Sequence, residues 1–346
     1  KSILRYWQKR ILVTCWFTYF SYYLCRYNIS VAIPGIEKEF DFTKTETGLI
    51  GSAMFITYGV GQFVNGQLGD RFGGRKMVAA GLMLSALATI AFGFGQGLLF
   101  LVIMWGLNGY FQSAGWSPSI GILSRWFSPR RRGMASGIFG TSCGIAVVAS
   151  WLLSGFMHDY FGWRYVFWIP GMVCCIVAVV FYVICRDSPR QAGLTEHAAW
   201  LKEQHCSESH EKSSGLHFTL KHTIGSWTIW RIGLAYMGLS SISYGFLYWA
   251  PAYVTETRGT SVSQAAFHVI LFPLAGALGG LLACWSSDRF FNSRRMPVII
   301  PMALVVTAIM LIFPKIAGLG VAPSVLMFAL VGLLANGAHI TIVSVM

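Results

Sequence analysis

Long apolar stretches follow one another along the chain, and most of the connections between them are short and polar. A helix needs about twenty apolar residues to cross the hydrocarbon of a bilayer, and ten runs approach or exceed that length. Only 11% of the 346 residues are charged, against about a quarter in soluble domains. These features predict an all-α membrane protein. The runs lie near residues 11–34, 48–68, 77–96, 98–123, 134–157, 165–185, 228–250, 264–285, 297–313 and 324–346.

Positive charge is distributed unevenly between the two sides that these runs define. Twenty of the 26 lysine and arginine residues lie in the amino-terminal segment and in the loops after even-numbered runs. Loops on the cytoplasmic side of a membrane carry such an excess. The distribution therefore predicts a cytoplasmic amino terminus, with the lipid bilayer as a partner of the chain. The net charge of +13 then follows from topology, and no nucleic-acid partner is expected.

Two segments recur about 217 residues apart. Pro34 of "AIPGIEKEFDF" corresponds to Pro251 of "WAPAYVTETR", and Asp70 of "GQLGDRFGGRK" corresponds to Asp288 of "CWSSDRFFNSRR". Each half therefore has an apolar run, an outer loop, a second run and a cytoplasmic Asp-Arg turn. This plan, and above all the loop "GQLGDRFGGRK", resembles the major facilitator superfamily.

The resemblance implies a major facilitator superfamily fold with two parallel six-helix halves and a substrate site between them near the middle of the membrane. We expect an amino-terminal bundle over 1–185, a cytoplasmic linker over 186–226 and a carboxyl-terminal bundle over 227–346. The last two helices of that plan are absent, so the sequence is predicted to be a portion of a longer protein. The resemblance also implies gating charge clamps, with a solvated turn as the alternative, at Asp70, Arg71, Arg75, Asp288 and Arg289.

One arginine lies inside an apolar run. Arg26 stands in "YYLCRYN" of the first run, whereas all thirteen Asp and Glu residues lie in loops or at the edges of runs. A guanidinium in hydrocarbon is costly and does not readily lose its proton. Arg26 therefore points to an anionic ligand, with satisfaction by carbonyl and hydroxyl oxygens as the alternative. Helical spacing places Tyr19, Tyr23 and Ser30 on its face, and hydroxyls next to a forked cation suit phosphate or carboxylate.

Further polar residues lie within the runs. Each is as compatible with hydrogen bonding between helices as with contact to a ligand. They are Tyr58 and Gln62 in the second run, Gln112 and Trp116 in the fourth, and Asn336 and His339 in the tenth. The eight cysteines show no metal-ligand spacing, and no nucleophile–base pair or phosphate loop is recognisable. The chain is therefore predicted to be no enzyme and to hold neither metal nor cofactor.

Three stretches resemble the organophosphate:phosphate antiporter family, which includes glycerol-3-phosphate and hexose-phosphate transporters. They are "SYYLCRYN" in the first run, "NGYFQSAGWSPS" in the fourth and "RDSPRQAGL" from Arg186. The resemblance implies obligatory exchange by rocking of two halves around a phosphate that two arginines hold, one in each half. Arg26 falls on the first of them. Ser243, followed by Tyr244, stands where the second is expected, and Cys143 replaces a histidine of the family's fifth helix.

These observations favour a secondary active transporter of a small organic anion that works by rocker-switch alternating access. Exchange of an organophosphate for phosphate is the first choice, and the substrate is a phosphate ester, phosphate or a carboxylate. One alternative is a proton-coupled carboxylate or sugar-acid symporter, in which His339 would carry the proton. Another is a membrane sensor that binds a ligand without transporting it. The protein is expected to be a monomer in the plasma (inner) membrane.

Overall fold

In the computed structural model, every regular element of the described residues is helical. These residues are 2–194, 226–291, 295–317 and 321–339. The chain divides into two compact units, Lys1–His210 and Glu211–Met346, and each is described by itself. The predicted domain bounds stay a prediction, because most of the linker expected over 186–226 lies outside the described residues.

Helices of the first unit begin and end at recognisable local signals. α3 starts at a capping box, in which the Thr43 side chain accepts from the N–H of Glu46 and the Glu46 side chain accepts from the N–H of Thr43. α3 and α4 meet at Gly73, whose φ of 87° suits a residue without a Cβ. The described helices are α1 (Ser2–Leu24), α2 (Ile29–Phe40), α3 (Lys44–Phe72), α4 (Gly74–Phe92), α5 (Leu98–Gln112), α6 (Trp116–Trp126), α7 (Pro129–Phe161) and α8 (Tyr165–Ile184), followed by a 3-10 turn at Pro189–Ala192.

The first predicted run, 11–34, is not one continuous helix. α1 ends at Leu24 and α2 begins at Ile29. Tighter turns follow α1, with the N–H groups of Cys25 and Arg26 bonded three residues back, and Asn28 Oδ1 accepts from the backbone N–H of Ile29 at 3.1 Å at the start of α2. The interruption is tied to α8, where Asn28 Nδ2 donates to the carbonyl oxygen of Val166 at 3.0 Å. The residues from Cys25 to Asn28, which include Arg26, therefore form a short non-helical segment inside the bundle.

This interruption corrects the position predicted for Ser30. The expectation of one helical face that runs from Tyr19 through Arg26 to Ser30 is wrong, because the helix stops between them. The Ser30 hydroxyl instead donates to the carbonyl oxygen of Tyr27 at 2.6 Å and accepts from Trp151 Nε1 at 2.9 Å. Ser30 therefore joins α2 to α7.

The second unit has a different first helix. α9 runs without interruption from Trp227 to Arg258, through Ser243 and Pro251. It ends at Gly259, which has a left-handed φ of 59°. The other described elements are α10 (Val262–Val269), α11 (Leu271–Phe290), α12 (Met296–Ala317), α13 (Val321–Val331) and a π-helical segment at Gly332–Asn336.

Six helices of the described residues are long and apolar enough to cross a membrane, and they match six of the ten predicted runs. Two further runs correspond to shorter apolar helices, Met296–Ile312 and Pro323–His339. The first and seventh runs, in α1–α2 and in α9, do not form a helix that is both long enough and apolar enough to be counted among these six. The first run falls short because α1 begins with a charged segment and ends at Leu24, and α2 has only 12 residues. The seventh run carries several tyrosine and serine residues, which lower its mean hydropathy. The six candidate spans are Lys44–Gly66, Gly74–Phe92, Leu98–Trp126, Arg131–Phe161, Tyr165–Ile184 and Val262–Ser287. The third joins α5 and α6, and the last joins α10 and most of α11.

Each of the two units contains a close helix crossing of the same kind. A methyl group on Gly109 of α5 would meet the carbonyl oxygen of Met54 of α3, and one on Gly332 would meet the carbonyl oxygen of Phe272 of α11. Met54 and Phe272 are 218 positions apart, and Gly109 and Gly332 are 223 apart. Close backbone approach at small residues is typical of helices in membranes. Both pairs of helices therefore cross in the same manner, which supports the internal repeat.

Candidate functional site

Arg26 is the one buried charged side chain among the described residues, with a relative exposure of 6%. Its Nε donates to Gln112 Oε1 at 3.1 Å. Its guanidinium carbon lies 4.9 Å from the centroid of the Tyr23 ring and 4.5 Å from that of Tyr58. Nη2 is buried and has no hydrogen-bond partner within the described residues. Arg26 is thus held at one nitrogen and over two rings, and it keeps a donor unmatched.

The amide of Gln112 is engaged in hydrogen bonds within the protein at both its oxygen and its nitrogen. Its side chain is fully buried, and its Nε2 donates to the carbonyl oxygen of Tyr22 and to Ser85 Oγ, both at 2.9 Å. The prediction placed Gln112 among ligand contacts together with Gln62. Gln62 lies on α3 one turn after Tyr58 and is half-buried.

Aromatic side chains pack around the arginine. The Tyr19 ring lies 5.4 Å from Tyr23, 5.2 Å from Trp116 and 5.0 Å from Phe139, between ring centroids. Cys143 of α7 lies beside the Tyr23 hydroxyl. The structure therefore brings the predicted residues Tyr19, Tyr23, Tyr58, Trp116 and Cys143 together around Arg26. Tyr27, which also interacts with the Arg26 charge, is an addition that the pattern of tyrosines in "YYLCRYN" could have indicated.

The second unit holds an equivalent cluster. The His339 ring stacks on Tyr236, with centroids 4.7 Å apart, and its Nε2 lies 3.1 Å from Ser240 Oγ. Tyr244 approaches the same ring edge-on at 6.4 Å. Ser243 is buried, and its hydroxyl has no hydrogen-bond partner within the described residues. The structure therefore brings His339, Tyr244 and the unpredicted Tyr236 together.

The repeat explains why these residues meet. Tyr236 stands 217 positions after Tyr19, and His339 stands 223 positions after Trp116, so the Tyr236–His339 stack is the counterpart of the Tyr19–Trp116 contact. The same offset of 217 would have identified Tyr236 from the sequence. Asn336 points elsewhere, because its side chain packs against Gly276 of α11.

The predicted gating residues differ in their surroundings. The Arg75 guanidinium lies 4.4 Å from the Tyr182 ring, and its Nε donates to the Tyr182 carbonyl oxygen at 2.6 Å. The backbone N–H of Arg75 donates to Asp187 Oδ1 at 2.7 Å, a partner that the sequence did not indicate. Arg71 and Arg289 are exposed, and the side chains of Asp70 and Asp288 lie outside what the structure describes. Arg75 therefore joins α4 to the end of α8, and the gating role of all five residues stays a prediction.

A bundle of membrane-crossing helices with polar residues turned inward is the architecture of a membrane transport protein. The chain belongs to the Major Facilitator Superfamily, whose profile matches residues 15–346. The predicted all-α membrane fold, the transporter class and the absence of enzymatic function are confirmed by this membership and by the relatives.

Relatives with assigned names include transporters and a sensor. The chain is 30% identical over 317 residues to the "Probable hexose phosphate transport protein" of Chlamydia muridarum, a match that covers 88% of this chain and 69% of that protein. It is 30% identical over 319 residues to the "Glycerol-3-phosphate transporter" of Bacillus subtilis, over 89% and 71% of the two chains. It is 29% identical over 299 residues to the "Membrane sensor protein UhpC" of Escherichia coli, over 85% and 68%.

Solved structures agree on the fold. A bacterial homologue of the human lysosomal transporter Spinster superposes with a TM-score of 0.77 at 16% identity, over 98% of this chain and 75% of that one. A D-xylose–proton symporter superposes with a TM-score of 0.62 at 16% identity, over 95% and 80% of the two chains.

Proposed function

We propose that the protein is a secondary active transporter of a small organic anion, and that it exchanges an organophosphate for phosphate by rocker-switch alternating access. The observation that carries the proposal is Arg26, a buried cation whose Nη2 lacks a partner within the described residues. An unpaired buried donor on a charged group is expensive, and an incoming anion satisfies it. Phosphate and carboxylate match the geometry of a guanidinium.

The surroundings of Arg26 support an anion rather than a cation or a neutral sugar. Four phenols lie close enough to interact with its charge, those of Tyr19, Tyr23, Tyr27 and Tyr58, and phenolic hydroxyls donate hydrogen bonds to anionic oxygens. No Asp or Glu belongs to the buried residues that the structure describes. The names of the relatives from C. muridarum and B. subtilis add that phosphate esters are carried on this scaffold.

The remaining parts of the proposal concern place and assembly. The protein acts as a monomer in the plasma (inner) membrane. Its amino terminus faces the cytoplasm, a placement that the excess of lysine and arginine in alternate loops supports. Two six-helix halves rock around the site, and the Asp-Arg turns at Asp70 and Asp288 gate it.

A second candidate function is ligand sensing without transport. The resemblance to the membrane sensor protein of E. coli, at 29% identity, favours it. In that case Arg26 would bind the same anion, and no flux would follow.

Counterflow tests the proposal. The protein is reconstituted into liposomes loaded with unlabelled phosphate, and uptake of radiolabelled phosphate is followed with glycerol phosphate, hexose phosphates and hexuronates as competitors. Saturable uptake is expected. Arg26→Ala should abolish it, and Arg26→Lys should weaken it by about tenfold to 150-fold, because a charge-assisted pair of hydrogen bonds worth about 1.5–3 kcal/mol is lost.

Arg231→Ala is the matched control, because Arg231 is an exposed arginine near the start of α9. It should leave uptake unchanged. Wild-type counterflow by Arg26→Ala would refute the anion site. Phosphate binding by the wild type without counterflow would favour the sensor.

A further inference from the structure

We infer that Ser85 and Asn108 are positioning residues for Arg26, and that they act through Gln112 and through the interruption between α1 and α2. The inference rests on the proposed function for its consequence, which is anion affinity. The effect of Ser85 and Asn108 on the geometry of Arg26 can be tested whether or not the proposed function is correct.

Three polar side chains form a continuous relay behind the arginine. Gln112 Nε2 donates to Ser85 Oγ at 2.9 Å, and the Ser85 hydroxyl donates to Asn108 Oδ1 at 2.6 Å. Asn108 Nδ2 in turn donates to the carbonyl oxygen of Cys25 at 2.9 Å. Ser85, Asn108 and Gln112 are all fully buried. The relay therefore begins at the non-helical segment that carries Arg26 and returns to Arg26 itself.

The Cys25 carbonyl oxygen, at one end of the relay, fixes which group donates in each of its hydrogen bonds. A carbonyl oxygen only accepts, so the Cys25 carbonyl requires the amide NH₂ of Asn108. Asn108 then turns its oxygen to Ser85, which must donate its single hydroxyl proton there and can only accept from Gln112. Gln112 therefore turns its NH₂ to Ser85 and its oxygen to Arg26 Nε. Asn108 and Ser85 thus reinforce the amide orientation that accepts from the guanidinium, which the Tyr22 carbonyl oxygen also requires.

The relay also binds backbone groups at the interruption. The Tyr22 carbonyl oxygen accepts from the N–H of Cys25 at 3.2 Å, and the Cys25 carbonyl oxygen follows the last residue of α1, where no helical N–H group continues the ladder. Gln112 and Asn108, one turn apart on α5, each donate to one of them. The same two side chains therefore stabilise the break and aim the arginine.

The second unit provides an internal comparison. At the repeat offsets of 217, 218 and 223 positions, Ser243 stands for Arg26, Ala303 for Ser85, Val331 for Asn108 and Ala335 for Gln112. Leu239, Ile299 and Ala338 pack together, with Ala303 against them. Among their counterparts, the Tyr22 ring lies against both Gly81 and Gly115. α9 is continuous through Ser243. The relay, the helix interruption and the buried arginine are thus present together in one unit and absent together among the described residues of the other.

Removal of the Ser85 hydroxyl takes away one of the two acceptors of the Gln112 NH₂ group and leaves the Tyr22 carbonyl oxygen as the other. In Ser85→Ala the Gln112 amide keeps its orientation but is held less firmly, so its hydrogen bond from Arg26 Nε–H weakens. Ser85→Thr keeps the hydroxyl and should retain the wild-type arrangement. Ser119→Ala is the matched control: Ser119 is about as buried, and its hydroxyl donates locally, to the carbonyl oxygen of Gly115 just before α6, at 2.7 Å.

The first experiment reads Arg26 directly. The protein with ¹⁵N-labelled arginine is placed in nanodiscs, and the Arg26 Nε–H resonance is assigned by its loss in Arg26→Lys. Hydrogen exchange of that Nε–H should be at least fivefold faster in Ser85→Ala than in the wild type, and unchanged in Ser119→Ala and Ser85→Thr. An unchanged exchange rate in Ser85→Ala would overturn the inference, whatever the protein transports.

The second experiment reads anion affinity by phosphate counterflow. Ser85→Ala should raise the KM for phosphate about threefold to tenfold, the cost of one hydrogen bond between neutral groups, with a smaller change in kcat. In a Gln112→Met background the Ser85→Ala change should have no further effect, because its route to Arg26 is gone. An equal effect in both backgrounds would overturn the inference. Absence of counterflow in the wild type would overturn the proposed function. The hydrogen-exchange rate of Arg26 Nε–H would then be the test of the positioning role.

Discussion

Replacement of Gln112 by glutamate should neutralise the candidate anion site with almost no change in side-chain volume. In Gln112→Glu one carboxylate oxygen keeps the position of Oε1, at 3.1 Å from Arg26 Nε. The other oxygen replaces the NH₂ group that donates to Tyr22 and Ser85. The guanidinium then has a permanent anionic partner inside the protein, and an external anion must compete with it.

The distance sets the magnitude. At 3.1 Å and an effective dielectric constant of about 20, two unit charges attract by about 5 kcal/mol. If only half of that attraction remains after the carboxylate has lost its hydration, the anion loses about 2.5 kcal/mol, which is close to 100-fold in affinity. The loss of the donor to the Tyr22 carbonyl costs about a further 1–3 kcal/mol in stability, which does not alter the sign of the result.

Phosphate affinity is measured by phosphate-dependent protection against thermal unfolding and by the KM of counterflow. Gln112→Met is the control, because it loses the same hydrogen bonds without adding charge. We expect about 70-fold to 100-fold weaker binding in Gln112→Glu and a loss of about tenfold in Gln112→Met. If Gln112→Glu bound phosphate within threefold of Gln112→Met, the charge of Arg26 would not be what holds the anion, and the reasoning would be refuted.

Two further predictions concern stability. Gly109→Ala should destabilise the protein by about 1–3 kcal/mol, since its methyl group would meet the Met54 carbonyl oxygen. Gly121→Ala, in open space on α6, should be neutral or stabilising. Thermal melting in detergent compares the two variants, and equal melting temperatures would contradict the close crossing of α3 and α5. Hydrogen bonds from Arg164 and then Trp163 lower the pKa of Glu39, so its stabilising effect should be complete above the ordinary glutamate pKa of about 4.3 and fade as pH falls through the lower folded-state pKa. Melting of the wild type and Glu39→Gln at pH 7 and pH 4 checks the sign, and a stability difference that grew on acidification would contradict it.

Much of the fold was predictable because the main requirement for a helix that crosses a bilayer is a sufficiently long apolar stretch. The runs at 48–68 and 165–185 correspond closely to helices of the structure, and their charged loops carry enough information to place them. The run at 11–34 failed as a single helix for a specific reason. Hydropathy averages over the residues that interrupt it, and Asn28, a strong helix N-cap residue in an otherwise apolar stretch, was the local signal of the break.

The candidate site was only partly predictable. Arg26 stood out because a charge within an apolar run is rare, and the tyrosines followed by spacing. Ser85 and Asn108 did not stand out, since an isolated serine or asparagine in a membrane helix most often bonds a neighbouring helix. Their role becomes visible only when α4, α5 and the interrupted segment are brought together, with the spacing of four residues between Asn108 and Gln112 as the one available hint.

The buried Arg26 gives the empty and the loaded site different net charges. Counted over the described residues, which hold one buried guanidinium and no buried carboxylate, the empty site carries one positive charge, and a site that holds a singly charged anion carries none. A full elementary charge that crosses a membrane potential of 100 mV does about 2.3 kcal/mol of work. A change of access with the empty site therefore couples to membrane voltage, whereas one-for-one exchange of singly charged anions proceeds without electrical work.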